Sequence, residues 1–169
     1  MKRITGLIMA CLLALSLASC AKTYRGTDEL MEKAREEMPV SDSDTIDMQY
    51  AGMCISGDRA IAWFISGNEY QAHCYLPMEI AIKGSGARYT FIRTYKPMTG
   101  LCPDVAIVNW NRGYAFLINN SNVAAVKMTF ENGETTEETI QSGSIPCTFY
   151  VSSIPTEYAF LDAEGHEMQ

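Results

Sequence analysis

The side chains with the most potential for chemistry belong to the four cysteines that follow the first twenty residues. They are Cys54, Cys74, Cys102 and Cys147. Two thiols can form a disulfide, and a thiolate can attack a substrate. An even number fits two bridges in an oxidising compartment, where four cysteines allow three connectivities. The alternative is four buried free thiols, because unpaired cysteine packs as a small hydrophobic residue. These residues are candidate disulfide cysteines.

Other residue types give little support for catalysis or metal binding. The chain has two histidines, His73 and His166, without the spacing of a metal-binding or catalytic pair. His73 and its neighbour Cys74 would point to opposite faces of a strand. Asp162, Glu164 and His166 occupy every second position, a pattern that is common in solvent-exposed hairpin turns. We expect no catalytic residue, no metal site and no cofactor.

The candidate binding surface is the segment around Trp110. Asn109, Trp110, Asn111, Arg112 and Tyr114 combine aromatic, amide and guanidinium side chains near a turn. Such a cluster can bind a glycan or a peptide through stacking and hydrogen bonds. This hypothesis predicts an exposed Trp110. The alternative is a tryptophan at a strand end that covers the open end of a sandwich.

The first twenty residues have the features of an export signal. Lys2 and Arg3 precede an apolar run over residues 7–15, which is too short to span a bilayer. The run ends at Leu17-Ala18-Ser19-Cys20, which resembles the lipobox of bacterial lipoprotein precursors. The resemblance implies that residues 1–19 are a lipoprotein signal peptide and that Cys20 carries the lipid. The protein would then be anchored to the cell membrane or the outer membrane, on the extracytoplasmic face. The alternative is an ordinary cleaved signal peptide.

The charge balance limits the class of partner. The chain has 13 basic and 20 acidic residues and a formal charge of −7. A nucleic-acid partner is excluded on this basis, because proteins that bind nucleic acids normally carry a basic face. An acidic body is also repelled by an anionic membrane surface, so a lipid anchor, and not adsorption, would hold it at the membrane.

The sequence after the lipobox predicts a tether, a helix and one domain. Residues 20–44 form the tether and a short helix over 28–38, which Thr27 would cap and Pro39 would end. The helix has an apolar stripe from Leu30 to Met38, which would dock on the core of the same domain or on a partner. Residues 45–169 form a single β-sandwich domain.

Turn signals at intervals of about ten residues predict a mainly β fold, an antiparallel sandwich built from hairpins. Two-residue loops at Gly57-Asp58 and Gly67-Asn68 would place Trp63 between Gly52 and Ala72, as a core residue. The same register sets Cys54 and Cys74 on either side of Ile61, too far apart for a direct disulfide.

Further hairpin turns are indicated around residues 84–86, at 119–122, at Asn132-Gly133 and at 162–165. Glu131, Glu134, Glu137 and Glu138 would form an acidic edge that discourages pairing with another strand. The segment from Ile154 to Gly165 weakly resembles the closing strand and hairpin of secreted immunoglobulin-like sandwiches. This resemblance favours a sandwich over a barrel.

The sequence therefore predicts a lipid-anchored extracytoplasmic protein that acts as a non-catalytic binding or envelope-structural module. Its partners would be the membrane, through the anchor, and a protein or glycan ligand. The alternative is a hydrolase-type or thiol-dependent enzyme with a dispersed site. Such an enzyme needs a carboxylate of raised pKa or an exposed, reactive thiol.

Overall fold

The computed structural model describes residues 22–40, 46–67, 72–84 and 87–168. The predicted signal peptide, Cys20 and part of the predicted linker before the first long strand lie outside the described residues. The fold is mainly β, an antiparallel sandwich with one helix near its N-terminal end, which confirms the predicted fold class.

The strands form three sheets. Sheet A contains β1 (Thr23–Arg25), β2 (Met48–Ser56), β3 (Arg59–Ser66), β4 (Cys74–Ile82) and β5 (Arg88–Thr94), in the order β1-β5-β4-β3-β2. Sheet B contains β6 (Val105–Trp110), β7 (Gly113–Ile118) and β10 (Cys147–Val151), in the order β10-β7-β6. Sheet C contains β8 (Ala125–Thr129), β9 (Thr135–Thr139), β11 (Glu157–Leu161) and β12 (Glu167–Met168), in the order β12-β11-β8-β9.

The three sheets and the helix α1 (Gly26–Glu37) stack in four layers. In β3 the even-numbered residues from 60 to 64 pack against the helix, whereas the odd-numbered residues from 61 to 65 pack against sheet B. In β6 residues 106, 108 and 110 face sheet A, and residues 105 and 107 face sheet C. Because both faces of β3 and β6 are covered, these strands have nearly continuous apolar sequences instead of alternating ones.

The helix docks on its own domain. Leu30, Ala34 and Met38 are buried among the side chains of sheet A, so the apolar stripe is not left free for a partner. The helix starts two residues before the predicted position, and the predicted cap at Thr27 is wrong. Arg25 is the N-cap residue, and its backbone N–H donates to Glu29 Oε2 at 2.7 Å. The acidic first turn thus replaces the hydroxyl cap.

The predicted register is correct for the first hairpin and wrong for the second. Gly52 lies opposite Trp63, as expected, although a bulge next to Gly52 shifts the rest of the pairing. Trp63 lies opposite Pro77 on β4, and not opposite Ala72, because β3 ends at Ser66 and β4 begins only at Cys74. Trp63 is fully buried, which confirms it as a core residue.

Two of the remaining predicted hairpin turns lie where they were predicted. Asn132-Gly133 joins β8 to β9, and the turn at 162–165 joins β11 to β12. The prediction of a hairpin at 119–122 is wrong, because this segment connects β7 in sheet B to β8 in sheet C and these two strands do not pair. The turn predicted at 84–86 includes two residues that lie outside the described ones. β9 is an edge strand of sheet C, and every residue in it is exposed. Glu137 and Glu138 therefore lie on an open sheet edge, as the sequence indicated.

Candidate functional site

The turn between β6 and β7 has a strained backbone at Arg112. Asn111 and Arg112 form a two-residue loop between the paired Trp110 and Gly113, with φ values of 47° and 64°. A loop with two such residues normally has glycine at the second position, because a side chain there crowds the backbone. Asparagine tolerates this conformation, whereas arginine rarely adopts it. The fold therefore holds Arg112 in place against a local preference.

Contacts with both neighbouring strands hold this turn. Asn111 Nδ2 donates to Ser56 Oγ at 2.7 Å, and Tyr150 Oη donates to the Asn111 carbonyl at 2.7 Å. A methyl group added at Gly113 would lie 1.8 Å from the Val151 carbonyl oxygen. The close approach of these two strands therefore requires glycine at position 113.

Trp110 is buried, with 3% of its surface exposed, so the prediction of an exposed Trp110 is wrong. Its indole N–H donates to Glu79 Oε1 at 3.3 Å, and its ring packs edge-on against Tyr150 with 5.1 Å between centroids. Trp110 faces sheet A because alternate residues of β6 do so. It anchors the base of the turn and does not offer a stacking surface.

Glu79 is a buried carboxylate, 2% exposed, bound by four side chains. Oε1 accepts from Arg59 at 2.9 Å and from Trp110, while Oε2 accepts from Arg93 at 2.9 Å and from Tyr95 at 3.0 Å. Burial alone would raise the pKa of this carboxyl, but the donated hydrogen bonds outweigh burial and lower the pKa below its usual value. Glu79 is therefore held as a charged hydrogen-bond acceptor.

Sequence reasoning missed Glu79, although a signal was present. It is the one acidic residue in the otherwise apolar segment Cys74–Ile82. A charge in a buried strand needs partners, and Arg59 and Arg93 occupy the two adjacent strands. The wrong register of the second hairpin hid this arrangement.

Arg112 lines an open cleft of about 840 Å³ between sheets B and C. The turn after β8 contributes Phe130, Glu131, Asn132 and Glu134, and the segment after β10 contributes Ser152, Ser153 and Ile154. We call this the Arg112 cleft. Glu134 is bonded to Asn132, and no hydrogen bond or ion pair involves the Arg112 side chain within the part of the chain that the structure describes.

The other members of the predicted surface are dispersed. Asn109 is exposed on β6, whereas Tyr114 is half-buried and packs edge-on against Phe116 and Tyr158 on the side of sheet C. Asn111 has a structural contact with Ser56. Among the five predicted residues, Arg112 alone lines the cleft.

All four cysteines of the domain are free thiols in the structure. Cys54 is buried between sheets A and B, with its Sγ 3.2 Å from the Phe149 carbonyl oxygen. Burial raises the pKa of the Cys54 thiol to about 12. Burial also raises the pKa values of Cys74, Cys102 and Cys147. These thiols are therefore protonated at neutral pH.

Cys54 and Cys74 lie on opposite faces of sheet A. Cys54 is opposite Ile61, as predicted, but Cys74 is opposite Ser66 and packs on the helix side. We expected Cys54 and Cys74 not to form a disulfide because β3 would lie between them on one face. They are indeed not bonded, but the reason is that they lie on opposite faces of the sheet.

Each of the two histidines contacts residues close to it in the sequence. His73 Nδ1 lies 3.3 Å from the Ser66 carbonyl oxygen. At the hairpin tip, Asp162 accepts hydrogen bonds from the backbone N–H groups of Glu164 and His166. No group of three histidine, cysteine or acidic side chains suited to a metal ion occurs within residues 22–40, 46–67, 72–84 and 87–168.

A scan against protein-family models, a search of curated proteins and a search of solved structures each found no match for this chain. No helix among the described residues is long and apolar enough to cross a membrane.

Proposed function

We propose that this protein is a lipid-anchored extracytoplasmic binding module. The observation that carries the location is the Leu17–Cys20 box, which follows two basic residues and an apolar run. Cys20 would carry a diacylglyceryl group on its thiol and become the first residue of the processed protein. The first strand begins at Thr23, so the anchor lies close to the folded body in the sequence.

The Arg112 cleft is the proposed ligand-binding site. Its arginine and its two glutamates, Glu131 and Glu134, form no ion pair with one another, so their charges are available to a ligand. Ile154 is 46% exposed and adds apolar surface to the same cleft. An arginine, two carboxylates and apolar surface suit a short peptide segment with free termini or charged side chains.

A glycan is the less favoured ligand. Glycan binding commonly uses an exposed aromatic ring as a stacking surface. Trp110, the residue expected to provide that surface, is buried against Glu79 and Tyr150. The charges lining the cleft therefore favour a peptide over a neutral sugar.

The anchor is tested by intact-mass analysis of protein from the bacterial membrane fraction, after growth with an alkyne analogue of palmitate. We expect a chain that starts at Cys20, carries acyl groups and incorporates the label. The Cys20→Ser variant should lose the label and leave the membrane fraction. An unacylated chain that retains Met1 would refute the anchor.

The cleft is tested with tetra-alanine that has free termini, using NMR titration of the unacylated chain from residue 20 with Cys20→Ser. We expect shifts at the amides of Arg112 and Ser153, and a loss of affinity of at least about tenfold in Arg112→Gln, because a charge-assisted hydrogen bond is lost. Lys127→Gln is the matched control, since it removes an exposed charge outside the cleft. Equal weakening in both variants would reject this site.

The enzyme hypothesis has less support from the described residues. It requires a carboxylate of raised pKa or an exposed thiol of lowered pKa. The buried carboxylate Glu79 has a lowered pKa, and the four thiols have raised pKa values. We therefore favour the binding module.

A further inference from the structure

A row of three cationic side chains crosses the edge of sheet A next to the proposed anchor. In the antiparallel pair of β1 and β5, Arg25 lies directly opposite Arg88. The backbone N–H of Lys83 donates to the Arg88 carbonyl at 2.8 Å, which places Lys83 beside Arg88 on the other flank. We call Arg25, Lys83 and Arg88 the basic row. All three residues are exposed.

The three side chains share one face of the sheet. Tyr24 and Tyr89 lie opposite each other and pack on the helix side, so their neighbours Arg25 and Arg88 point to the other side. Directly paired strand residues are about 5 Å apart, a distance at which like charges repel. No ion pair of the basic row occurs among the described residues. The row therefore brings three positive side chains together. The nearby Glu29 carboxylate accepts from the backbone N–H of Arg25 and forms no ion pair with its side chain.

The same face carries two further arginines, Arg59 and Arg93, which are 54% and 61% exposed. The acidic residue between them, Glu79, is buried and already bonded to both. This face is thus locally basic in a protein whose formal charge is −7. The overall charge predicted repulsion from an anionic membrane, but the local charge at this edge favours attraction.

The position of the basic row relative to Cys20 identifies its partner. An extended chain covers at most about 3.6 Å per residue, so Thr23 lies within roughly 11 Å of Cys20 and Arg25 within roughly 18 Å. An acyl group on Cys20 would therefore hold the row at the level of the lipid headgroups. Guanidinium groups are well suited to phosphate oxygens. A row of this charge beside a lipid anchor fits an anionic phospholipid surface.

We propose that the basic row docks on anionic phospholipid headgroups and orients the domain on the membrane. This inference rests on the proposed anchor at Cys20. The lipid chains would hold the protein at the bilayer, and the row would select the face that meets it. Each basic residue near an anionic surface contributes roughly a fivefold gain in partitioning.

The first test uses protein without the lipid, so that its result does not depend on acylation of Cys20. The unacylated chain from residue 20, with Cys20→Ser, is sedimented with vesicles of phosphatidylcholine alone or with one quarter phosphatidylglycerol. We expect preference for the anionic vesicles, and a loss on the order of 100-fold in the triple variant Arg25→Gln, Lys83→Gln and Arg88→Gln. The control triple variant, Lys96→Gln, Arg112→Gln and Lys127→Gln, should lose far less. Equal losses in the two variants would overturn the proposal.

The second test uses the acylated protein, confirmed by intact mass, in the same two kinds of vesicle. Phenylglyoxal modifies accessible arginines, and mass mapping gives the rate at each one. We expect modification of Arg25 and Arg88 to be at least about fivefold slower on anionic vesicles, and the difference to vanish at high salt. Arg112 serves as the internal control and should react equally in both.

The outcomes separate this inference from the proposed function. If Cys20 is unacylated and the protein still prefers anionic vesicles, the proposed anchor is rejected and the proposed docking of the basic row is retained. An acylated Cys20 with equal modification of Arg25 and Arg88 in both vesicles would keep the anchor and overturn the row. Tighter binding to soluble heparin than to anionic vesicles would assign the row to a soluble polyanion, and would also overturn it.

Discussion

The indole N–H of Trp110 donates to Oε1 of Glu79, and this 3.3 Å contact joins sheet B to sheet A beneath the turn that carries Arg112. It connects a buried charge to the strand end beside the proposed binding cleft. Both residues are at least 97% buried, so water does not compete for the bond. Stability and the geometry of the turn are therefore coupled through this pair.

Glu79→Gln should destabilise the domain and weaken its response to acid. The variant leaves four donors facing an uncharged amide, so we expect the free energy of unfolding to fall by about 2 kcal/mol at pH 7. Because the pKa of Glu79 is lowered in the folded state, its contribution is present above its usual value of 4.5 and is lost as the pH falls through the folded value. Urea unfolding at pH 7 and below pH 4 should show the difference between the two proteins shrinking in acid. Glu137→Gln, on the exposed strand β9, should behave like wild type at both pH values.

Trp110→Phe should lower the free energy of unfolding by about 2 kcal/mol, because it removes the indole N–H and leaves a small cavity. In a double-mutant cycle with Glu79→Gln, we expect a coupling energy of about 1 kcal/mol, as is typical for residues in direct contact. If the double variant loses the sum of the two single losses in free energy of unfolding, the contact between Trp110 and Glu79 contributes nothing to stability. Trp110→Ala is unsuitable as a binding test, since truncation of a buried tryptophan costs about 3–5 kcal/mol.

The four thiols should react slowly and unequally with iodoacetamide. Cys54, with a pKa of about 12, and the buried Cys102 should remain unlabelled in the folded protein at pH 7.5. The half-buried Cys74 and Cys147 should label first. A thiol assay on the unreduced, denatured chain from residue 20 with Cys20→Ser should count four free thiols. A count of two or zero would reveal bridges.

Arg112→Gly should stabilise the domain by about 1 kcal/mol while it weakens peptide binding. Glycine relieves the strain of φ = 64°, and the arginine side chain has no hydrogen bond or ion pair among the described residues that would be lost. Arg112→Gln keeps the strain and should leave the melting temperature unchanged. A stability loss in Arg112→Gly, measured by thermal unfolding, would show that Arg112 has a structural role.

Gly113→Ala should destabilise the domain by several kcal/mol. The added methyl group would lie 1.8 Å from the Val151 carbonyl oxygen, so β7 and β10 must separate. Gly143→Ala is the control, because nothing lies within 4 Å of its added methyl group and the cost is limited to about 1 kcal/mol of backbone strain at φ = 81°. Equal losses in chemical unfolding would contradict the steric argument.

Local patterns in the sequence were sufficient for the fold class and for many of the turns. Turn residues such as Asn132-Gly133 and the proline after Met38 act over a few positions, so they mark where strands and the helix end. The apolar stripe of the helix likewise indicated a buried face, and Leu30 and Ala34 are fully buried.

The sequence by itself determined that the chain forms an antiparallel β sandwich with one helix, because side-chain periodicity and turn chemistry are local properties. The tertiary structure alone decided the stacking of the three sheets, the burial of Trp110 and the network around Glu79. For the network around Glu79, the physical reason is the register of β3 against β4, whereas Trp110 is buried because sheet A covers its face of β6. A shift of five residues, an odd number, exchanges the two faces of a strand, so Glu79 and not Cys74 lies opposite Ile61. No local signal reports such a shift, since it depends on how the covering layers pack.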